Sequence, residues 1–161
     1  TERFSHAQFD MVRIGIGMYG TSAVDQSRLK NPSTLCCPII QIKEVPFGDT
    51  VGYGRHGKTA EGAKTIATLP IGYADGVDRH LGRGVGKFLV NGTLAPTIGN
   101  ICMDMCMIDI TGIHAAQGDM VTLFGAPPAL TSLDWAKTLD TISYEIYTSV
   151  AQRVQRVYIG G

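Results

Sequence analysis

A tyrosine between two glycines, Val51-Gly52-Tyr53-Gly54, is the arrangement in this sequence best suited to proton transfer. Small neighbours leave the phenol accessible. A tyrosine becomes a useful base only where its surroundings lower its ordinary pKa near 10. An ordinary turn tyrosine is the plainer reading of this stretch. Pro70-Ile71-Gly72-Tyr73-Ala74-Asp75-Gly76 has the same character, a strand end followed by a loop that carries Tyr73 and Asp75, with Arg79 close behind. Its plainer reading is a turn and a helix start.

Two other stretches bear on binding. Met11-Val12-Arg13-Ile14-Gly15-Ile16-Gly17-Met18-Tyr19-Gly20 interleaves strand formers with glycines. Glycines let the backbone come close to a ligand and leave amides free, which suits phosphate. A glycine-rich strand end and turn is the alternative. Arg13 cannot lose its proton, so any heteroatom facing it must accept a hydrogen bond. Gly99-Asn100 leads into Ile101-Cys102-Met103-Asp104-Met105-Cys106-Met107-Ile108-Asp109-Ile110, which Thr111-Gly112 closes. This predicts a strand of about ten residues, apolar on both faces, with Cys102, Asp104, Cys106 and Ile108 on one of them. A carboxylate in such a strand needs a partner, because an unpaired buried charge is very costly. Tyr144, on a predicted helix, reads as a core residue whose hydroxyl still wants a partner.

The elements that must position these residues are mostly strands. Leu35 to Val45, Thr50 to Tyr53, Thr65 to Leu69, Lys87 to Val90, Leu94 to Ile98, Ile101 to Ile110 and Met120 to Phe124 are short strand candidates separated by Gly, Pro, Asn and Asp. Asn91-Gly92 is a strong two-residue hairpin signal. Seven such strands predict a mainly β fold, a barrel or a sandwich. Thr131 and Ser132 can cap a helix from Leu133 to about Leu139, and Ile142, Ile146 and Val150 are spaced for a second. Arg153 to Ile159 alternates as a last strand would. Thr21 to Thr34 reads as a boundary between two packing units.

Composition narrows the function classes. The 161 residues suit one domain with or without an appendage, and 14 basic against 14 acidic residues give a formal net charge of zero. No basic patch points to nucleic acid. No apolar run reaches the roughly 18 residues of a membrane span, and no signal peptide is visible. The chain starts at Thr1 in mid-pattern, which predicts a longer polypeptide. Cys36, Cys37, Cys102 and Cys106 lack the spacing of a zinc site and have no histidine pair beside them. Reduced, buried thiols and a cytoplasmic location are expected, with no metal.

Taken together, MVRIGIGMYG, VGYG, PIGYADG, GNICMDMCMID and TISYE, in this order and spacing, closely resemble the C-terminal half of alanine racemase, a pyridoxal-phosphate (PLP) enzyme of bacterial cell-wall synthesis. The resemblance covers essentially the whole chain. It is nearest to a subgroup in which the racemase is fused behind a muropeptide D-Ala-D-Ala ligase. It implies that residues 1–22 are the last helix and strand of the PLP-binding α/β barrel and that 23–161 are the C-terminal β domain, with short helices near its end. It implies a head-to-tail homodimer, each active site joining one subunit's barrel to the other's β domain.

The resemblance also assigns roles. Arg13 matches the arginine that hydrogen-bonds the pyridine nitrogen of PLP; an arginine there cannot protonate the ring, so the cofactor is a weaker electron sink. Gly15 and Ile16 match the amides that hold the phosphate, and Tyr144 the tyrosine whose hydroxyl also reaches it. Tyr53 matches the base that takes the α-proton from L-alanine. Met103 matches a residue whose backbone contacts the substrate carboxylate. Tyr73 matches an inner gate of the access corridor, with Arg79 and Ile142 further along it. Many members have arginine where Asn100 stands, so the corridor would lose a charge. The family's PLP-anchoring lysine, also the base for the D-alanine face, sits in an N-terminal motif like Lys-Ala-Asn-Ala-Tyr-Gly. None of Lys30, Lys43, Lys58, Lys64, Lys87 and Lys137 has that context, so the isolated chain is expected to be inactive. A serine or broad amino-acid racemase, and a non-catalytic β-barrel interaction module, are the alternatives.

Overall fold

The computed structural model describes residues 3–22, 24–59 and 62–160. Thr1, Ala23 and Gly161, which limit the two expected segments, lie outside the described residues. The fold is mainly β, as expected. The described residues form nine strands: β1 (Leu35–Pro38), β2 (Gln41–Val45), β3 (Thr50–Val51), β4 (Gly57–Lys58), β5 (Lys64–Leu69), β6 (Lys87–Val90), β7 (Thr93–Pro96), β8 (Cys106–Asp109) and β9 (Met120–Phe124). They form three antiparallel sheets, ordered β1-β9-β6-β7, β2-β5-β8 and β3-β4. Asn91 and Gly92 both take positive φ, 44° and 83°, and turn β6 into β7 with Val90 opposite Thr93, the geometry their side chains favour. A bridge between Thr97 and Ile108 joins the chain after β7 to β8, linking the two larger sheets.

Among the described residues two α-helices cover this β framework, α1 (Ser132–Thr138) and α2 (Ser143–Ser149). Thr131 and Asp134 cap α1 reciprocally, satisfying amides that the first turn leaves unpaired. Trp135 drives α1 into the core, 1% exposed, with its ring 5.9 Å from Phe88 and 5.3 Å from Phe124. Ile146 anchors α2 and leaves Ile142 and Tyr144 exposed.

Four expectations are corrected. The ten-residue strand from Ile101 to Ile110 is a loop followed by β8, because Cys102 N–H bonds back to Met105 O at 2.9 Å and makes a tight turn. Leu35 to Val45 divides into β1 and β2, which join different sheets. Arg153 to Ile159 is not a strand; Arg153 is held by ion pairs, and Arg156 donates to the carbonyls of Val150, Ala151 and Val154. Among the described residues before Ser22 there is neither an α-helix nor a strand, only short 3-10 turns at Ser5–Ala7 and Ile16–Tyr19. Backbone groups that find no ladder turn to local bonds or water.

All four thiols are free. Burial pushes Cys37 up to about 12 and raises Cys106 as well, whereas Cys36 lies exposed on β1. Because the thiolate is the reactive form, maleimide under native conditions is expected to label Cys36 and to spare Cys37 and Cys106 until denaturant is added. Rapid native labelling of all four thiols would contradict this packing.

Candidate active site

Tyr53 begins a 3-10 turn, Tyr53–Arg55, between β3 and β4. Gly52 and Gly54 take φ of 77° and 72°, values a side chain resists, so the glycines on either side of Tyr53 set the turn as well as clearing space. Tyr53 is 76% exposed. Its main chain is not free. Asn100 Nδ2 donates to Tyr53 O at 2.9 Å, and Gly52 packs close to Gly99, Asn100 and Met107.

The loop from Gly99 to Met105 carries the remaining groups on this side. Tyr73 N–H donates to Cys102 O and Ala74 N–H to Met103 O, both at 3.0 Å. The structure therefore brings Tyr73 and Met103 together. A carboxylate only accepts, so the main-chain group that Met103 can offer it is the N–H, while Met103 O accepts from Ala74. Burial raises the Cys102 thiol, an effect that Arg79 opposes from nearby.

Arg153 locks the Tyr73 loop to the Met103 loop. Its Nε donates to Asp75 Oδ1 at 2.7 Å and its Nη2 to Asp104 Oδ1 at 2.6 Å. These bonds, Asp75 first, hold the guanidinium further toward its charged form. The other oxygen of Asp75 accepts from Gly72 N–H at 2.9 Å and closes the turn. The partner that Asp104 needs is thus Arg153, 49 residues away, and Asp104 itself is exposed because no strand buries it. In the sequence Asp75 reads only as a loop residue and Arg153 as part of a strand. Nothing local in either segment signals a contact across such separations.

A second cluster forms where α2 meets the N-terminal segment. Ile16 N–H donates to the Tyr144 hydroxyl at 3.4 Å. A Cβ on Gly15 would stand 3.2 Å from the same oxygen. Gly15, Ile16 and Tyr144 thus converge, and glycine leaves the approach to the hydroxyl open. With the Ile16 amide bonded to its oxygen, the Tyr144 proton can go to an anion, so the cradle fits a phosphate. Arg13, two residues earlier, is exposed. Tyr147, one turn beyond Tyr144, fixes the segment by donating to Tyr19 O at 2.8 Å and stacking on Tyr19.

The two clusters share α2. Ser149 and Val150 pack on Gly76, and Ala151 N–H bonds Asp75 O at 3.1 Å. Tyr73 and Arg79 face Glu145 and Ile146 across a cleft of about 620 Å³, and Ile142 is exposed at the N-terminus of α2. Among the described residues no three metal-ligating side chains gather, and no helix is long and apolar enough to cross a membrane.

Comparison with known proteins places this framework. The family described as alanine racemase, C-terminal domain, matches residues 33–158. The alanine racemase of Mycolicibacterium vanbaalenii is 41% identical over 95% of this chain and 40% of its own length. Alanine racemase 1 of Clostridium acetobutylicum is 43% identical over 94% of the chain and 41% of its own. The structure of alanine racemase from Streptomyces coelicolor superimposes with a TM-score of 0.88 at 38% identity, covering 96% of this chain and 42% of that one. That of Clostridium difficile in complex with cycloserine gives 0.85 at 40% identity, covering 93% and 40%. The chain spans about two fifths of the length of the curated relatives it matches. An exposed tyrosine on a braced turn, a Tyr73–Met103 loop pair and the convergence of Gly15 and Ile16 on the Tyr144 hydroxyl sit on the fold of these enzymes: the chain belongs to the alanine racemase C-terminal domain family.

Proposed function

We propose that this chain is the C-terminal part of a bacterial, PLP-dependent alanine racemase that interconverts L- and D-alanine for peptidoglycan synthesis. The observation that carries the reading is Tyr53, held out on a braced turn in a chain about 40% identical to alanine racemases. Residues 1–22 end the barrel and 23–161 form the β domain. In the dimer the β domain closes the partner's barrel. Exposed Tyr53, Tyr73, Met103, Ile142 and Tyr144 supply apolar area for that contact. Four free cysteines agree with a reducing, cytoplasmic location.

PLP, when bound, supplies an electron sink for the pair released at the α-carbon. The residues of this chain do the rest. Arg13 donates to the pyridine nitrogen and keeps its own proton. The amides of Gly15 and Ile16 and the hydroxyl of Tyr144 hold the phosphate, the Ile16 N–H exchanging its long 3.4 Å bond to Tyr144 for the anion. Met103 N–H orients the substrate carboxylate, and Tyr73 narrows the access path, flanked by Arg79 and Ile142. Tyr53 takes the α-proton on the L-alanine face and returns it when the reaction runs from D-alanine. The D face requires the lysine of the barrel half, so this chain holds one base of two.

Mixing the chain with the separately purified barrel half and PLP, then following L- to D-alanine conversion, tests this directly. Racemisation is expected only with both halves. Racemisation by the chain and PLP alone would show that a lysine here serves as anchor and would overturn the assignment.

A further inference from the structure

Asn100 is almost fully buried, at 7% exposure, and faces two partners of opposite kind. Its Oδ1 accepts from Arg83 Nε at 2.8 Å, and its Nδ2 donates to Tyr53 O at 2.9 Å. A guanidinium only donates and a carbonyl only accepts, so the partners fix which end of the amide points where. Arg83 braces the same segment a second time, its N–H donating to Gly99 O at 2.7 Å. On its other side Gly99 packs against Val51 and Gly52, so tightly that a Cβ there would stand 2.6 Å from Val51 O. The Tyr53 side chain stands out in solvent. Where its hydroxyl lies is therefore set by the main chain of the turn, and Asn100 bonds that main chain through its side chain.

We infer that Asn100 is a positioning residue: oriented by Arg83, it fixes the Tyr53 turn so that the hydroxyl is presented for proton transfer. This rests on the reading of Tyr53 as the proton-transferring group. It also gives the asparagine at this position a use. An arginine in its place has donors only and could not accept from Arg83. A misplacement on the order of 1 Å at a reacting group can cost about 100-fold in rate, so a bond that holds the turn acts on kcat rather than on substrate affinity.

Asn100→Asp is the sharpest variant. It keeps the shape and an acceptor for Arg83 but sets an oxygen against Tyr53 O. In the full-length enzyme, kcat is expected to fall about 10- to 100-fold with KM for alanine changed less than about twofold. Amide hydrogen exchange is expected to speed up within residues 52–57 and not in the core strands. Arg83→Met, at an exposed site that does not endanger folding, should give the same pattern more weakly. In a Tyr53→Phe background Asn100→Asp should cause no further loss, since both act through one group.

Unchanged exchange at 52–57 in Asn100→Asp overturns the inference whatever the turnover does. So do losses that multiply in the double variant. Full turnover in Tyr53→Phe alone places the failure in the reading of Tyr53, and the exchange measurement still decides whether Asn100 holds the turn.

Discussion

Tyr53→Phe is expected to lower kcat/KM for alanine by about 10²- to 10⁴-fold, the usual contribution of a positioned acid–base group. The loss must be equal in both directions. The equilibrium constant between mirror-image substrates is one, so the two values of kcat/KM are tied together. Substrate affinity should change little, because in the proposed roles the phenol serves proton transfer while the Met103 amide and the barrel half hold the substrate. Stability should hardly change, since the side chain is exposed and its hydroxyl is not part of the packed core. Progress curves from each enantiomer, followed by polarimetry, measure this. Turnover at the unsubstituted rate would remove Tyr53 from the chemistry and return the tyrosine to an ordinary turn residue.

Trp135→Ala carries the largest expected effect on stability, about 3–5 kcal/mol. Trp135 is where α1 meets the β framework, between Phe88 of β6 and Phe124 of β9, and Phe124 in turn meets Tyr147 of α2. Truncation removes buried apolar area and leaves a cavity that two strands and two helices would have to collapse to fill. Loss of α2's seat would also loosen Tyr144 and the Tyr147–Tyr19 contact, so PLP affinity should weaken along with stability. Trp135→Phe should cost less than alanine, since it keeps a ring and deletes an indole N–H that has no partner among the described residues. Denaturant midpoints of the three proteins rank these costs. A Trp135→Ala midpoint close to the unsubstituted one would mean that α1 does not hold the core.

The parts of the fold legible in the sequence were those decided locally. Asn91-Gly92 specifies its hairpin through the φ values those two residues accept, and Thr131 with Asp134 specifies the start of α1 through a cap between residues three positions apart. The run from Ile101 to Ile110 misleads because its apolar, sulfur-rich residues satisfy a strand pattern throughout. What breaks the strand is non-local. The carbonyls of Cys102 and Met103 go to Tyr73 and Ala74, and that use of the backbone leaves no trace in side-chain periodicity. The alternation in Arg153 to Ile159 misleads for the same reason, with Arg153 drawn to two carboxylates far away in the chain.

The candidate site divides in the same way. Glycines around Tyr53 and Tyr73 mark turns that put side chains on display, and the order of the motifs carried the family resemblance. That resemblance located Tyr53, Arg13, Gly15, Ile16, Tyr144, Met103 and Tyr73 as candidates, and the fold draws three of them, Gly15, Ile16 and Tyr144, onto one oxygen. The bracing residues were not legible. Asn100 stood out in the sequence only as a departure from an arginine, and Arg83 not at all. Their meaning lies in a bond to a backbone carbonyl 47 positions away.

The central claim, that this chain supplies the base for one face of alanine, is tested most directly by α-hydrogen exchange in D2O. The full-length enzyme is incubated separately with L- and D-alanine, with Tyr53 intact or as Tyr53→Phe, and deuterium at the α-carbon is followed by NMR at early times. With Tyr53 intact, both enantiomers should take up deuterium. In Tyr53→Phe, exchange from L-alanine should fall with the racemisation rate, while exchange from D-alanine, served by the barrel lysine, should persist. Exchange from L-alanine that continues undiminished in Tyr53→Phe would contradict the claim.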